Sequence, residues 1–136
     1  MTIEYATKSD LDVISEHDEH ITKEELLKSI SDNRVIVDKE DNKIIAWIRY
    51  NLFWDNMPFL NMIFVLKEYR NSGIGKRLAE FWEREMKNKG FKMVMTSTLS
   101  NENAQHFYRK LKYKDAGCLL LDGEALEIIF TKKLEF

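Results

Sequence analysis

No disulfide can form within this chain, because Cys118 is its only cysteine, and a thiolate-rich metal site is excluded with it. Cys118 falls in an expected strand, Tyr113 to Leu121, and reads there as a buried, inert thiol without a catalytic role. Long apolar runs are missing as well. No stretch approaches eighteen apolar residues, and Met-Thr-Ile-Glu-Tyr at the N-terminus is not a basic start leading into an apolar segment, so neither a membrane span nor an export signal is expected. A cytoplasmic location follows as the expectation. Neither sign of charge dominates: the net charge is −2 with Lys and Arg dispersed, which leaves no electrostatic footprint for nucleic acid. Proline occurs once and glycine five times, and 44% of residues are apolar, so a disordered chain is excluded. A length of 136 residues encloses one substantial core, and no shift of composition marks a linker. One domain over residues 1–136 is expected.

What is present is a succession of clear periodicities. Thr2 to Thr7 alternates as a strand, and Ser9-Asp10 offers N-cap chemistry for a short helix through Glu16. Thr22-Lys23-Glu24-Glu25 is a capping box opening a helix to about Ile30, with Leu26, Leu27 and Ile30 on its core side. Arg34 to Asp38 and Lys43 to Trp54 are strands joined by the turn Lys39 to Asn42. Both faces of the second are largely apolar, which makes it central. Asp55 to Pro58 reads as a loop, followed by a strand from Phe59 to Leu66. Ile74, Leu78, Phe81, Trp82 and Met86 recur three or four apart in an amphipathic helix ending at Gly90, whose Lys/Glu-rich surface reads as a solvated face. Phe91 to Thr98 is a strand, and Ala104, Phe107, Tyr108 and Leu111 mark another helix with Asn101 as its expected N-cap. Tyr113 to Leu121 and Leu126 to Leu134 form a closing hairpin around Asp122-Gly123. This order is a mixed α/β pattern, not a Rossmann alternation.

The run Arg70-Asn71-Ser72-Gly73-Ile74-Gly75-Lys76 joins an apolar strand to the most strongly periodic helix. Glycines there let successive backbone N–H groups converge at a helix N-terminus, where unpaired amides and the dipole favour phosphate. Arg70 can add a charge-assisted bond, and Arg70, Lys76 and Arg77 make a basic patch sized for a small polyphosphate. The run lacks the Gly-Lys-Ser/Thr of a nucleotide triphosphate loop and is too short for a dinucleotide fingerprint. It matches Arg/Gln-x-x-Gly-x-Gly/Ala as Arg70-x-x-Gly73-x-Gly75.

In this strand-turn-helix setting the pattern resembles the pyrophosphate-binding motif of the GNAT superfamily, the acyl-CoA-dependent N-acetyltransferases. Asn101 to Tyr113 is similar to a second segment of that family, Asn-x-x-Ala-x-x-x-Tyr-x-x-x-Gly-Phe/Tyr, with Lys112 in place of the usual glycine. The element order coincides with the family's over the whole chain. The resemblance implies a single domain with a mostly antiparallel sheet of about seven strands, its central strands splayed and flanked by helices. It implies acetyl-CoA as cosubstrate, without a metal, and an amine acceptor that is a small molecule or a peptide, with no nucleic acid or membrane partner. A homodimer stays open. The amides of Ser72, Gly73, Ile74, Gly75 and Lys76, assisted by Arg70, would bind the pyrophosphate. The strand of residues 59 to 66 would pair with the pantetheine arm through Ile63 and Val65, and Asn101 would touch the cofactor. Tyr108 would protonate the CoA thiolate, a transfer well matched for a phenol of pKa about 10.

The general base is not fixed by the residues. Relatives carry an acid near the middle of the cofactor strand, where this chain has Asn61 and Met62. Asp55 is the nearest carboxylate, His17 and His20 lie in the usual acceptor region, and a water relay is equally open. His17 and His20 also form His-x-x-His, but no third ligand stands at a telling distance, so no metal is expected. Trp47, Tyr50, Trp54 and Phe59 would wall an acceptor pocket, and Glu16, Asp18, Glu19 and Asp55 suit a cationic amine. Two other classes remain: a GNAT fold without catalysis that senses acyl-CoA, and an interaction module whose Gly-x-Gly is only a turn.

Overall fold

The computed structural model describes residues 2–135. Its strands are β1 (Thr2–Tyr5), β2 (Val35–Glu40), β3 (Lys43–Phe53), β4 (Met57–Val65), β5 (Met93–Leu99), β6 (Lys114–Leu119) and β7 (Glu127–Lys133). The helices are α1 (Leu11–His17), α2 (Lys23–Ser31), α3 (Ile74–Asn88) and α4 (Ala104–Lys110), with single 3-10 turns at Lys8–Asp10 and Lys67–Tyr69. The strands form one seven-stranded sheet in the order β1-β2-β3-β4-β5-β7-β6, mostly antiparallel and flanked by the helices. β4 and β5 pair in parallel, at Phe59↔Met95 and Leu60↔Thr96. By their internal contacts the residues group into two compact units, one running to Asn51 and including Met62–Trp82, the other comprising Leu52–Asn61 and the chain from Glu83 onward.

The first unit is built around an apolar cluster of Ala6, Ile14, Leu26, Ile30, Val35, Val37, Ile44 and Trp47. Half of the capping box expected at α2 forms: Thr22 Oγ1 accepts from the Glu25 N–H at 3.2 Å, while Glu25 Oε1 accepts from Lys28 Nζ at 3.3 Å. α1 starts differently from expectation. Asp10 reaches back to accept the Thr7 N–H at 2.8 Å, capping the 3-10 turn that precedes the helix. β2 and β3 are joined by Asp41 and Asn42 at φ 51° and 64°, the left-handed pair of a type I′ hairpin. β3 is central, with every residue from Ile44 to Tyr50 buried. Its alternation of faces is broken where Asp38 pairs with Ala46 and Lys39 with Ile44. That bulge leaves Ile45 outside the register, and its carbonyl accepts the Leu66 N–H at 2.8 Å.

The second unit departs from the sequence reading in three places. The expected loop Asp55 to Pro58 is a three-residue turn, Trp54 (φ 54°), Asp55 (φ 65°) and Asn56, whose N–H meets the Phe53 carbonyl at 3.2 Å, so Met57 and Pro58 belong to β4. β7 lies between β5 and β6, which leaves β6 at the sheet edge with all six residues exposed, Cys118 among them. The buried thiol expected there is therefore corrected: β6 is exposed on both faces along its whole length, so nothing covers the Cys118 side chain. α3 carries Glu83 only 1% exposed, although the helix surface reads as solvated from sequence. α3 does close at Gly90 (φ 96°), with the Gly90 N–H on the Lys87 carbonyl at 2.9 Å and the Phe91 N–H on that of Met86 at 3.1 Å.

Lys112 takes φ 75° at the residue that closes α4, keeping the left-handed geometry that glycine usually supplies. The Lys112 N–H meets the Arg109 carbonyl at 3.0 Å and the Tyr113 N–H meets that of Tyr108 at 3.0 Å. Lys112→Gly is expected to raise stability by about 1 kcal/mol, the strain of a Cβ in this region less the entropy glycine adds to the unfolded chain. The check is a higher urea midpoint at unchanged m. A lower midpoint would mean that contacts of the lysine stem outweigh the strain.

Candidate active site

The turn between the 3-10 segment and α3 is built from two left-handed residues, Asn71 at φ 62° and Gly73 at φ 84°, on either side of Ser72. Alternating backbone handedness of this kind turns successive N–H groups to one side. The Ser72 hydroxyl donates to the Tyr69 carbonyl and fixes the turn. The first intrahelical bond runs from the Arg77 N–H to the Gly73 carbonyl at 3.1 Å. The amides of Ile74, Gly75 and Lys76 therefore lie ahead of the helical ladder, where an α-helix leaves its N–H groups unpaired. A Cβ built on Gly73 would meet nothing within 4 Å, so the space beside this turn is open. Gly75 lies in the first turn of α3, and among the described residues Gly73 is the glycine of this run with positive φ. Open space against converging amides fits a pyrophosphate.

Arg77, expected in the basic patch, is engaged elsewhere: its guanidinium donates to the Asp38 carboxylate, which is fully buried on β2. Arg70 Nε donates to the Val65 carbonyl at 2.8 Å, and its guanidinium stands 5.4 Å from the centroid of the Phe64 ring. This arginine is therefore first a clamp on the end of β4. On β4 itself Pro58 and Leu60 are buried, whereas from Asn61 to Val65 no residue is, and the ladder to β5 is recorded at Phe59 and Leu60. Ile63 and Val65 both lie in that part of the strand and are half-buried.

Tyr108 projects from α4 into a ring cluster. Its centroid lies 5.4 Å from that of Tyr113, 6.0 Å from Phe130 and 5.3 Å from Phe107, and the residue is 4% exposed. Burial pushes the phenol up to about 12, against which a side-chain hydrogen bond with Thr96 acts. The matched proton transfer expected from sequence is thus corrected, since burial disfavours the phenolate. Behind Tyr108, the Tyr113 hydroxyl donates to Glu83 Oε2 at 2.8 Å, and Lys132 Nζ donates to Oε1 at 2.8 Å. Burial and the Glu83 charge hold Tyr113 well above its usual range.

The other candidates scatter. Asp55 is exposed on the β3–β4 turn. Asn101 is exposed and does not cap α4, whose N-cap is Asn103. Asp18 is not an acid free to face an amine: buried after α1, it accepts Arg49 Nε at 2.9 Å and the His20 N–H at 3.2 Å. His17 lies 5.8 Å from Trp47 and 5.6 Å from Phe64, which themselves stack at 4.7 Å. Of the aromatics expected to wall a pocket, Trp47 and Tyr50 are buried, Phe59 is half-buried, and Trp54 is 74% exposed. Sequence reasoning missed Thr96 and Glu83. For Glu83 a signal existed, because Ala79, Glu83 and Met86 share the helix stripe with Trp82. No helix among the described residues is long and apolar enough to cross a membrane.

Comparisons with known proteins bear on this arrangement. A search of curated proteins finds no match. Among solved structures, an acetyltransferase of the GNAT family from Bacillus cereus is similar, with TM-score 0.80 and 26% identity over 99% of this chain and 98% of that one. The ribosomal-protein-S18-alanine N-acetyltransferase of Escherichia coli superposes with TM-score 0.81 at 20% identity, over 99% and 94% of the two chains. PaiA N-acetyltransferase from Thermoplasma acidophilum, solved in complex with coenzyme A, has TM-score 0.81 and 22% identity over 98% and 99%. The profile of the acetyltransferase (GNAT) family matches residues 3–113, a span that holds both the Arg70 turn and Tyr108, and the chain belongs to that family.

Proposed function

We propose that this chain, as one acetyltransferase domain over residues 1–136, transfers the acetyl group of acetyl-CoA to a primary amine by direct attack in a ternary complex. The observation that carries the reading is the turn at Asn71 to Lys76, with left-handed Asn71 and Gly73, amides ahead of the α3 ladder and open space beside Gly73. A pyrophosphate placed there meets backbone donors and the positive end of α3. Ser72 to Lys76 bind it, and Ile63 and Val65 offer backbone groups of β4 to the pantetheine arm, the Val65 carbonyl being already held by Arg70. Asn101, on the exposed turn before α4, contributes a further cofactor contact. Tyr108 supplies the proton to the departing thiolate. Asp55, the histidines and a water relay remain as routes for the amine's proton.

A second reading has its own support. Asn61, exposed on β4, cannot take a proton where an acid is usual in the family, which favours an acyl-CoA sensor without turnover. One experiment separates the readings. Acetyl-CoA at about a hundred times Kd is expected to add about 2.7 kcal/mol, several degrees in Tm. Thiol release is then followed with a panel of primary amines that includes a peptide beginning with alanine. A shift with turnover supports the enzyme, a shift with no turnover supports the sensor, and the absence of any shift removes both.

A further inference from the structure

Between Arg49 and Lys67 the chain carries one charged residue, Asp55, although 32% of all residues are charged. It stands in the turn between β3 and β4, among aromatic neighbours. Trp54 is 74% exposed and Phe53 37% exposed, with ring centroids 4.7 Å apart, and the half-buried Phe59 ring lies 6.2 Å from that of Phe53. The fold draws little from Trp54. Its indole stays in water, where no burial rewards it, and its φ of 54° is one that a bulky side chain adopts only under strain. Neither strain nor exposure serves stability, and outliers of this kind gather at functional sites.

The charge of the patch limits what can cover it. Asp10, Asp12, Asp18, Asp38 and Asp115 each pair with a lysine or arginine of the chain, whereas among the described residues no such cation pairs with Asp55. A purely apolar partner would strip water from that carboxylate and return nothing to it. A second copy of this turn would bring another Asp55 and no lysine or arginine, since neither occurs between Arg49 and Lys67. A metal ion would demand several oxygen ligands where the turn offers one carboxylate. An organic cation meets both groups: the indole face attracts it, tryptophan being the best of the aromatic residues in this respect, and the carboxylate pairs with it. Trp54 and Asp55 are consecutive, with Cα atoms about 3.8 Å apart, close enough that one small cation can meet both.

We propose that the β3–β4 turn is a binding site for an aliphatic ammonium group, its charge between the Trp54 face and the Asp55 carboxylate and its alkyl chain on Phe53. The site is defined by its own binding and does not depend on the transfer reaction, although it suits the cationic amines that such a reaction consumes.

Tryptophan fluorescence of the full chain tests this, because Trp47 and Trp82 are fully buried and Trp54 is the tryptophan that meets solvent. The titrant is n-butylammonium chloride, with n-butanol as the uncharged counterpart of the same length and sodium chloride at equal ionic strength. n-Butylammonium is expected to change the Trp54 emission and shield it from acrylamide, saturating in the millimolar range, with n-butanol about fivefold weaker. Asp55→Asn should weaken the response to n-butylammonium about two- to fivefold and leave that to n-butanol unchanged. Trp54→Asn relieves the strain, because asparagine tolerates positive φ, and should melt no lower than wild type. Equal responses to n-butanol and n-butylammonium would overturn the proposal, as would wild-type binding of the cation by Asp55→Asn. A Trp54→Asn protein melting well below wild type would show the indole to be structural and overturn it too. Shielding of Trp54 that grows with protein concentration in the absence of any amine would assign the patch to a second copy, with the same consequence. Stabilisation by acetyl-CoA is measured alongside. Its absence, with Trp54 still responding, removes the acetyltransferase reading and keeps the cation site, and its presence with an unresponsive Trp54 does the reverse.

Discussion

Gly73→Glu is expected to abolish stabilisation by acetyl-CoA while the apo protein stays folded. Gly73 has φ 84°, where any residue with a Cβ is strained by roughly 1–2 kcal/mol, an amount a domain of this size tolerates. Nothing within 4 Å would stop the new side chain, so it enters the open space beside the turn. There a carboxylate can accept from the same amides a pyrophosphate needs and repels its charge. A loss of affinity beyond a hundredfold is the expected scale, about 2.7 kcal/mol or more. Gly73→Ala separates the causes, because it carries the backbone strain without the charge and should lose far less. Arg70→Ala should weaken binding less than Gly73→Glu, since the amides remain. Its guanidinium is also committed to the Val65 carbonyl and the Phe64 face, so part of its effect arrives through β4. Calorimetric titration with acetyl-CoA decides the matter. Unchanged affinity in a folded Gly73→Glu protein would show that this turn does not hold the pyrophosphate.

Much of this was legible in the chain because it rests on local rules. The order of elements, the N-cap at Thr22, the closing glycine of α3 and the strand-turn-helix setting of Arg70 to Lys76 all follow from periodicity and from residues with special capping chemistry or backbone freedom. What was not legible depends on partners distant in sequence. Cys118 looks buried from its strand, yet β7 takes the place beside β5 and leaves β6 outermost. Glu83 looks solvated by composition, yet Tyr113 and Lys132, 30 and 49 residues away, meet it and allow its burial. The bulge at Ile45 and the tight turn at Trp54-Asp55 have no strong signature, since a bulge is set by the partner strand and an aromatic residue such as Trp54 rarely adopts positive φ. For the candidate site, the glycine spacing points straight to the turn whose amides lie ahead of α3. The environment of Tyr108 could not be read, because its pKa is set by burial among Phe107, Tyr113 and Phe130 and by one hydroxyl on β5.

Tyr108→Phe is expected to lower kcat about ten- to a hundredfold while leaving acetyl-CoA affinity near wild type. The ring contacts with Tyr113, Phe130 and Phe107 survive the substitution, so the variant removes a proton and little packing. The size of the effect follows from the leaving group. A thiolate with a conjugate pKa of about 8.5 departs partly unaided, which places the loss at or below the low end of what a positioned acid supplies. The direction with pH follows from the phenol's own ionisation. Held at about 12, Tyr108 keeps its proton throughout the neutral range, so the activity lost in the variant should be lost equally at about pH 7 and about pH 9. A phenol near its ordinary pKa of about 10 would instead begin to lose its advantage toward the upper end of that range. Single-turnover rates at both values, with an amine shown to react, measure the difference. If the variant matches wild type while chemistry limits the rate, Tyr108 is a packing residue, and the thiolate takes its proton from water or leaves without one.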